Sequence, residues 1–148
     1  MSQSQVGIHG FKAIFTTLGS IYALMAGSML ARGTSALLEF GISERLIREP
    51  VFEDFFLFFY QLMLLFGVLI VLFGHVVREH RSQLLVAGVF TALNVLIALR
   101  DLVTSNSRFG NHLYSGRVMV FVYISLAYAL VFGFLVVRGL MPTRVPAT

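Results

Sequence analysis

The chain has no cysteine, which excludes disulfides, thiolate metal sites, thiol catalysis and lipidation on sulfur. Charge is scarce as well: Asp, Glu, Lys and Arg make up 12% of the residues, about half the roughly 25% of soluble domains. HExxH, a phosphate-binding glycine loop and GxSxG are all missing, and so are an acylation glycine and a CaaX box. The four histidines do not cluster: His75 and His80 are off the i, i+4 spacing of a shared metal, and His9 and His112 fall in segments on opposite sides of the chain's spans. No metal ligand set and no catalytic residue is expected from these residues. The net charge of +4 is scattered rather than gathered into a stripe, so nucleic acid is not an expected partner.

Long uncharged runs are what the sequence has instead. Residues 13–31, 55–77 and 118–137 each meet the length of a membrane-spanning helix. The first is longer than a signal-peptide core of about 7–15 residues and is expected to be retained. Residues 84–99 form a fourth run that is too short, rising roughly 24 Å against a hydrocarbon core of about 30 Å. To span, it has to take Arg100 and Asp101 into its last turn. The expected fold is therefore all-α, a four-helix transmembrane bundle forming one domain, with spans at approximately 12–32, 53–77, 83–103 and 117–138. A water-soluble bundle is excluded because four such runs leave too little polar sequence to cover an outside.

Four spans put both ends of the chain and the 78–83 turn on one side, face A, and the two longer connections on face B. Lys and Arg number five on face A and six on face B, so the count does not orient the chain. Arg78 and Arg81 sit in the shortest connection, where the positive-inside rule is strongest, and they favour a cytoplasmic face A. The expected location is a bacterial cytoplasmic, or inner, membrane with both termini cytoplasmic. On face B, residues 35–40 read as a short amphipathic turn stopped by Gly41. Residues 43–48 read as a second piece begun by Ser43 and ended before Pro50. Both are expected to lie along the interface. The second face-B loop, 105–116, is polar, with Tyr114 and Arg117 as anchors for the last span.

Membrane helices associate through small residues that permit close approach and polar residues that bond across. The first span offers Gly19, Ala23 and Gly27, and the last offers Ser125, Ala129 and Gly133, each set at i+4 spacing. The third places Ala87, Thr91, Asn94, Ala98 and Asp101 on one face. In the second, Asp54, Gln61, Val68 and His75 recur every seventh residue and define the expected inward stripe. Gln61 lies seven residues beyond Asp54 and Asn94 seven before Asp101, so both amides sit about 10 Å inward from face B. A polar chamber is expected there, with Asp54 and Asp101 at its mouth and Gln61 and Asn94 at its floor. The amides either bond each other or line a site for a ligand such as a quinone or a lipid headgroup. Arg100 either snorkels to headgroups or turns towards Asp54, Glu53 or Glu49. Phe73-Gly74-His75-Val76-Val77-Arg78 is echoed, with one insertion, by Phe132-Gly133-Phe134-Leu135-Val136-Val137-Arg138.

Leu37-Leu38-Glu39-Phe40-Gly41-Ile42, the following phenylalanine-rich helix with Phe66-Gly67-Val68-Leu69, and Arg100 near the end of the third span resemble the DoxX-like and BphX-like small membrane proteins. The likeness runs over roughly residues 15 to 137. It implies a four-helix bacterial membrane protein, and, as some members accompany quinone-linked oxidation, an accessory redox role. The four-helix membrane glutathione transferases have a similar length, but Glu53-Asp54-Phe55-Phe56 does not reproduce their second-helix pattern. The function expected is that of a non-catalytic accessory or assembly subunit. Its partners would be membrane lipids and either other integral membrane subunits or further copies of itself. The alternative is a quinone- or lipid-binding module built on Asp54, Gln61, Asn94, Arg100 and Asp101.

Overall fold

A computed structural model of the chain describes residues 7–105 and 119–141. These residues form an all-α bundle: α1 (Phe11–Arg32), a 3-10 segment (Thr34–Phe40), α2 (Glu44–Ile47), α3 (Pro50–Val76), α4 (His80–Ser105) and α5 (Met119–Leu140). The second face-B loop, with Tyr114 and Arg117, lies outside the described residues.

Four of the helices, α1, α3, α4 and α5, are long and apolar enough to cross a membrane, which makes this a small integral membrane protein. The short third run gains its length as its arithmetic required. α4 has 26 residues, about 39 Å of rise, because it begins at His80 and carries Arg100 and Asp101 in its final turns. α3 begins at Pro50, where the missing N–H costs nothing because the first helical turn has no internal acceptor. Between α1 and α3, Gly33 and Gly41 bracket the 3-10 segment, both at positive φ. Gly41 closes it by donating its N–H to Leu38 O, in a left-handed conformation that a side chain disfavours.

Backbone approach divides the bundle into two close pairs, α1 with α3 and α4 with α5. In the first pair glycines let the chains touch. A Cβ on Gly67 would stand 2.6 Å from Ala23 N and 2.9 Å from Gly19 O, and one on Gly74 2.9 Å from Phe15 Cβ. In the second pair the small residues Ala129 and Ala98 are buried, and Gly133 faces the Thr91 methyl. Each of the two echoed segments turns its glycine towards the preceding span, tightly at Gly74 and at ordinary contact distance at Gly133. Between the pairs the backbones stand further apart and aromatic rings fill the gap. Phe15 meets Phe132 at 4.9 Å and Phe90 at 5.6 Å, and Phe66 meets Phe90 at 5.4 Å, in tilted and edge-on arrangements favoured by ring quadrupoles.

This aromatic core occupies the face-A half. Towards face B a second core forms where Ala36 and Leu37 of the 3-10 segment and Ile47 of α2 bury against Met29, Phe56 and Tyr60. The interfacial pieces therefore act as a cover over the α1–α3 pair, and Phe40 reaches Phe121 of α5 with ring centroids 5.3 Å apart.

Candidate functional site

Two sets of polar groups within the spans bear on the expected site: a layer between the helix pairs and the outside of α3. The layer is built on α4. Gln83, Ala87, Phe90, Asn94, Ala98 and Asp101 are all buried, so the face read from the spacing of its small and polar residues is the face turned inward. Asn94 is 4% exposed and donates from Nδ2 to Phe90 O at 2.8 Å, one turn back on its own helix. Asp101 is 3% exposed, and Arg100 folds back from the adjacent position to donate from Nε to Asp101 Oδ1 at 2.8 Å. Adjacent helical residues diverge by about 100°, so this ion pair relies on the length of the arginine stem, whose side chain stays 61% exposed. The carboxylate of Asp101 is thus a partner of Arg100 that the sequence reading does not include, and the exposed stem leaves the guanidinium at the bundle surface.

From α5, Ser125 and Ala129 are buried as their spacing implies. Two tyrosines complete the layer and were missed. Tyr128 donates its hydroxyl to Leu18 O of α1 at 3.1 Å, which bonds the two pairs together, and its ring stands edge-on to Tyr22 at 5.3 Å. The signal was available: Tyr22 and Tyr128 each follow a stripe residue, Gly19 and Ser125, by three positions, which puts them on the same helix faces. Tyr123, two residues before Ser125, is 63% exposed.

The five residues of the expected chamber do not assemble. Asn94, Arg100 and Asp101 share the end of α4, but Asp54 and Gln61 lie on the exposed side of α3. The whole stripe of Asp54, Gln61, Val68 and His75 faces outward, whereas Phe56, Tyr60, Gly67, Ile70 and Gly74 face in. The cause is physical: bringing α3 against α1 requires its glycines at the contact, and that requirement outweighs the pull of one amide. Gly67 and Gly74, seven apart and in register with Tyr60, were the legible signal. Of the packing residues on α1, Gly19 and Ala23 meet Gly67, while a Cβ on Gly27 would meet nothing within 4 Å.

The outside of α3 is therefore unusual for a membrane span. Asp54, Phe58, Gln61, Leu65, Val68, Leu72 and His75 follow alternating four- and three-residue steps, and every one is exposed. Phe58 is 63%, Leu65 54% and Leu72 50% exposed. Gln61 is the twelfth of 27 residues, about 3 Å from the helix midpoint, and among the described residues its amide has no hydrogen-bond partner.

On face A, Gln83 secures the start of the chain to the α3–α4 turn. It accepts from Ile8 N at 2.6 Å and donates to Val77 O at 2.9 Å. His80 bonds Gly139 O through Nε2 at 3.0 Å, joining the ends of α4 and α5. Among the described residues no group of three or more His, Cys, Asp or Glu converges on a point that could hold a metal ion.

Comparison with known proteins finds no family model, no curated protein and no solved structure that matches this chain.

Proposed function

We propose that this chain is a non-catalytic membrane subunit that assembles with another transmembrane protein through the outer face of α3. The observation that carries this reading is Gln61: a carboxamide near the middle of a span, exposed on the bundle surface and unbonded among the described residues. An amide in hydrocarbon without a partner costs roughly 2–7 kcal/mol, depending on the reference state. A helix from another protein supplies the missing donor and acceptor, as polar side chains do between membrane helices. The 3-4 spacing around Gln61 is the spacing by which two helices interdigitate. In the span windows only 22–28% of residues are buried, so lipid or a partner covers the remainder. The resemblance to the DoxX-like and BphX-like proteins points the same way, towards an accessory protein in a bacterial cytoplasmic membrane. On this reading face A, with Arg78 and Arg81 in its turn, is cytoplasmic.

Lipid accessibility tests the reading. The cysteine-free chain takes a nitroxide on Leu65→Cys or on Leu130→Cys, the latter replacing a residue of α5 that is 75% exposed. In native membranes, dissolved oxygen should relax the label at 130 strongly and the label at 65 weakly, and Gln61→Leu should raise the value at 65. Equal relaxation at both sites, unchanged by Gln61→Leu, means lipid covers both and sinks the proposal.

A further inference from the structure

We infer that the partner seated on the outer face of α3 is a second copy of this chain, in a parallel dimer whose two α3 helices meet along the stripe from Asp54 to His75 with Gln61 paired to Gln61. The inference rests on the assembly reading above and names its partner. Copies inserted in one membrane share one topology, so a two-fold axis along the membrane normal brings each residue to its counterpart at equal depth. Position 61 then meets position 61. A carboxamide both donates and accepts, so two of them satisfy each other without a third group. Any other partner has to present a matching amide or hydroxyl at that depth, whereas the second copy does so by construction.

The apolar members fit the same geometry. Phe58, Leu65, Val68 and Leu72 flank Gln61 at four- and three-residue steps and share its face, within a wider exposed surface of α3 that also includes Leu57, Leu62, Leu69 and Phe73. One buried amide in an otherwise apolar seam is the device that fixes register and partner number in helix pairs. Gly67 and Gly74 are already spent on α1. The dimer seam therefore lacks small residues at its centre and packs large side chains into one another, in the left-handed 3-4 geometry. Asp54 and its counterpart face each other at the face-B end. They lie one heptad from the paired amides, near water, where solvent screens their repulsion.

Absence of native cysteine makes the test clean. Single cysteines replace Leu65 and Leu72 on the seam, Met63 on the inward side of α3, and Leu130 on α5, and membranes are oxidised. Covalent dimers are expected at 65 and 72, with little at 63 or 130. Adding Gln61→Leu to the Leu65→Cys chain should lower the dimer yield at least threefold. Adducts at 65 whose mass corresponds to a different protein, with no dimer of this chain, overturn the homodimer and leave α3 as a docking face. Dimers no more abundant at 65 than at 130, together with equal oxygen relaxation of labels at those two sites, overturn both.

Discussion

Replacing Gly67 by alanine adds one carbon at the tightest glycine contact among the described residues, and the same change at Gly27 adds it where nothing stands within 4 Å. At position 67 the new Cβ is 2.6 Å from Ala23 N, whereas ordinary contact begins near 3.4 Å. The obstacle is backbone, which cannot rotate aside, so α1 and α3 have to part locally by about 0.8 Å. A gap of that size forfeits a quarter to a half of each affected dispersion contact, and overpacking of this kind costs about 1–3 kcal/mol. Alanine's better helix propensity offsets up to about 1 kcal/mol in each variant, so it cancels when the two are compared. Reversible unfolding in mixed micelles should therefore place Gly67→Ala about 1–3 kcal/mol below Gly27→Ala. Stabilities that agree within about 0.3 kcal/mol would refute the glycine-mediated contact as the determinant of which face α3 turns inward.

Three further outcomes follow from other contacts. Tyr128→Phe removes the hydrogen bond to Leu18 O and should cost about 0.5–1.5 kcal/mol in the same unfolding assay, with helix content unchanged. Arg100→Gln takes the guanidinium from a carboxylate that is 4% exposed, whereas Arg48→Gln breaks an i, i+4 pair with Glu44 in which both side chains are more than 60% exposed. The first should destabilise by about 1–3 kcal/mol and the second by no more than about 0.5 kcal/mol, and equal effects would contradict the buried setting of Asp101. Gln83→Leu severs both bonds that secure the start of the chain to the α3–α4 turn. Protease applied from face A should then cleave near Ile8 at least several times faster than in the parent protein, while cleavage at face B stays the same.

Much of the fold was legible because length and hydropathy decide it. Four runs, one of them short, led to four spans, and the short one was lengthened by Arg100 and Asp101 because the bilayer thickness demands it. The inward faces of α4 and α5 were legible too, since small and polar residues there coincide in one stripe. On α3 the two criteria pointed in different directions. Its polar residues lie on one side and its glycines on another, and close backbone approach is available only at glycine. Assigning the face by Gln61 therefore turned the helix the wrong way, and with it went the chamber that joined Gln61 to Asn94. The long-range bonds of Gln83 and Tyr128 join elements far apart in the chain, and no periodicity within one helix announces such partners. What survives is sharper than the chamber was: Asn94 and Asp101 serve the interior, whereas Gln61 faces out of it.

Energy transfer between donor- and acceptor-labelled copies, followed while the chain is diluted in lipid bilayers, tests the role of Gln61 most directly. The parent protein should show a saturable, dilution-dependent dimer, and Gln61→Leu should dissociate about 3- to 30-fold more readily, the equivalent of one interhelical hydrogen bond of about 0.6–2 kcal/mol. Association of Gln61→Leu as tight as that of the parent protein, or no transfer above random proximity in either, would contradict the dimer paired through Gln61.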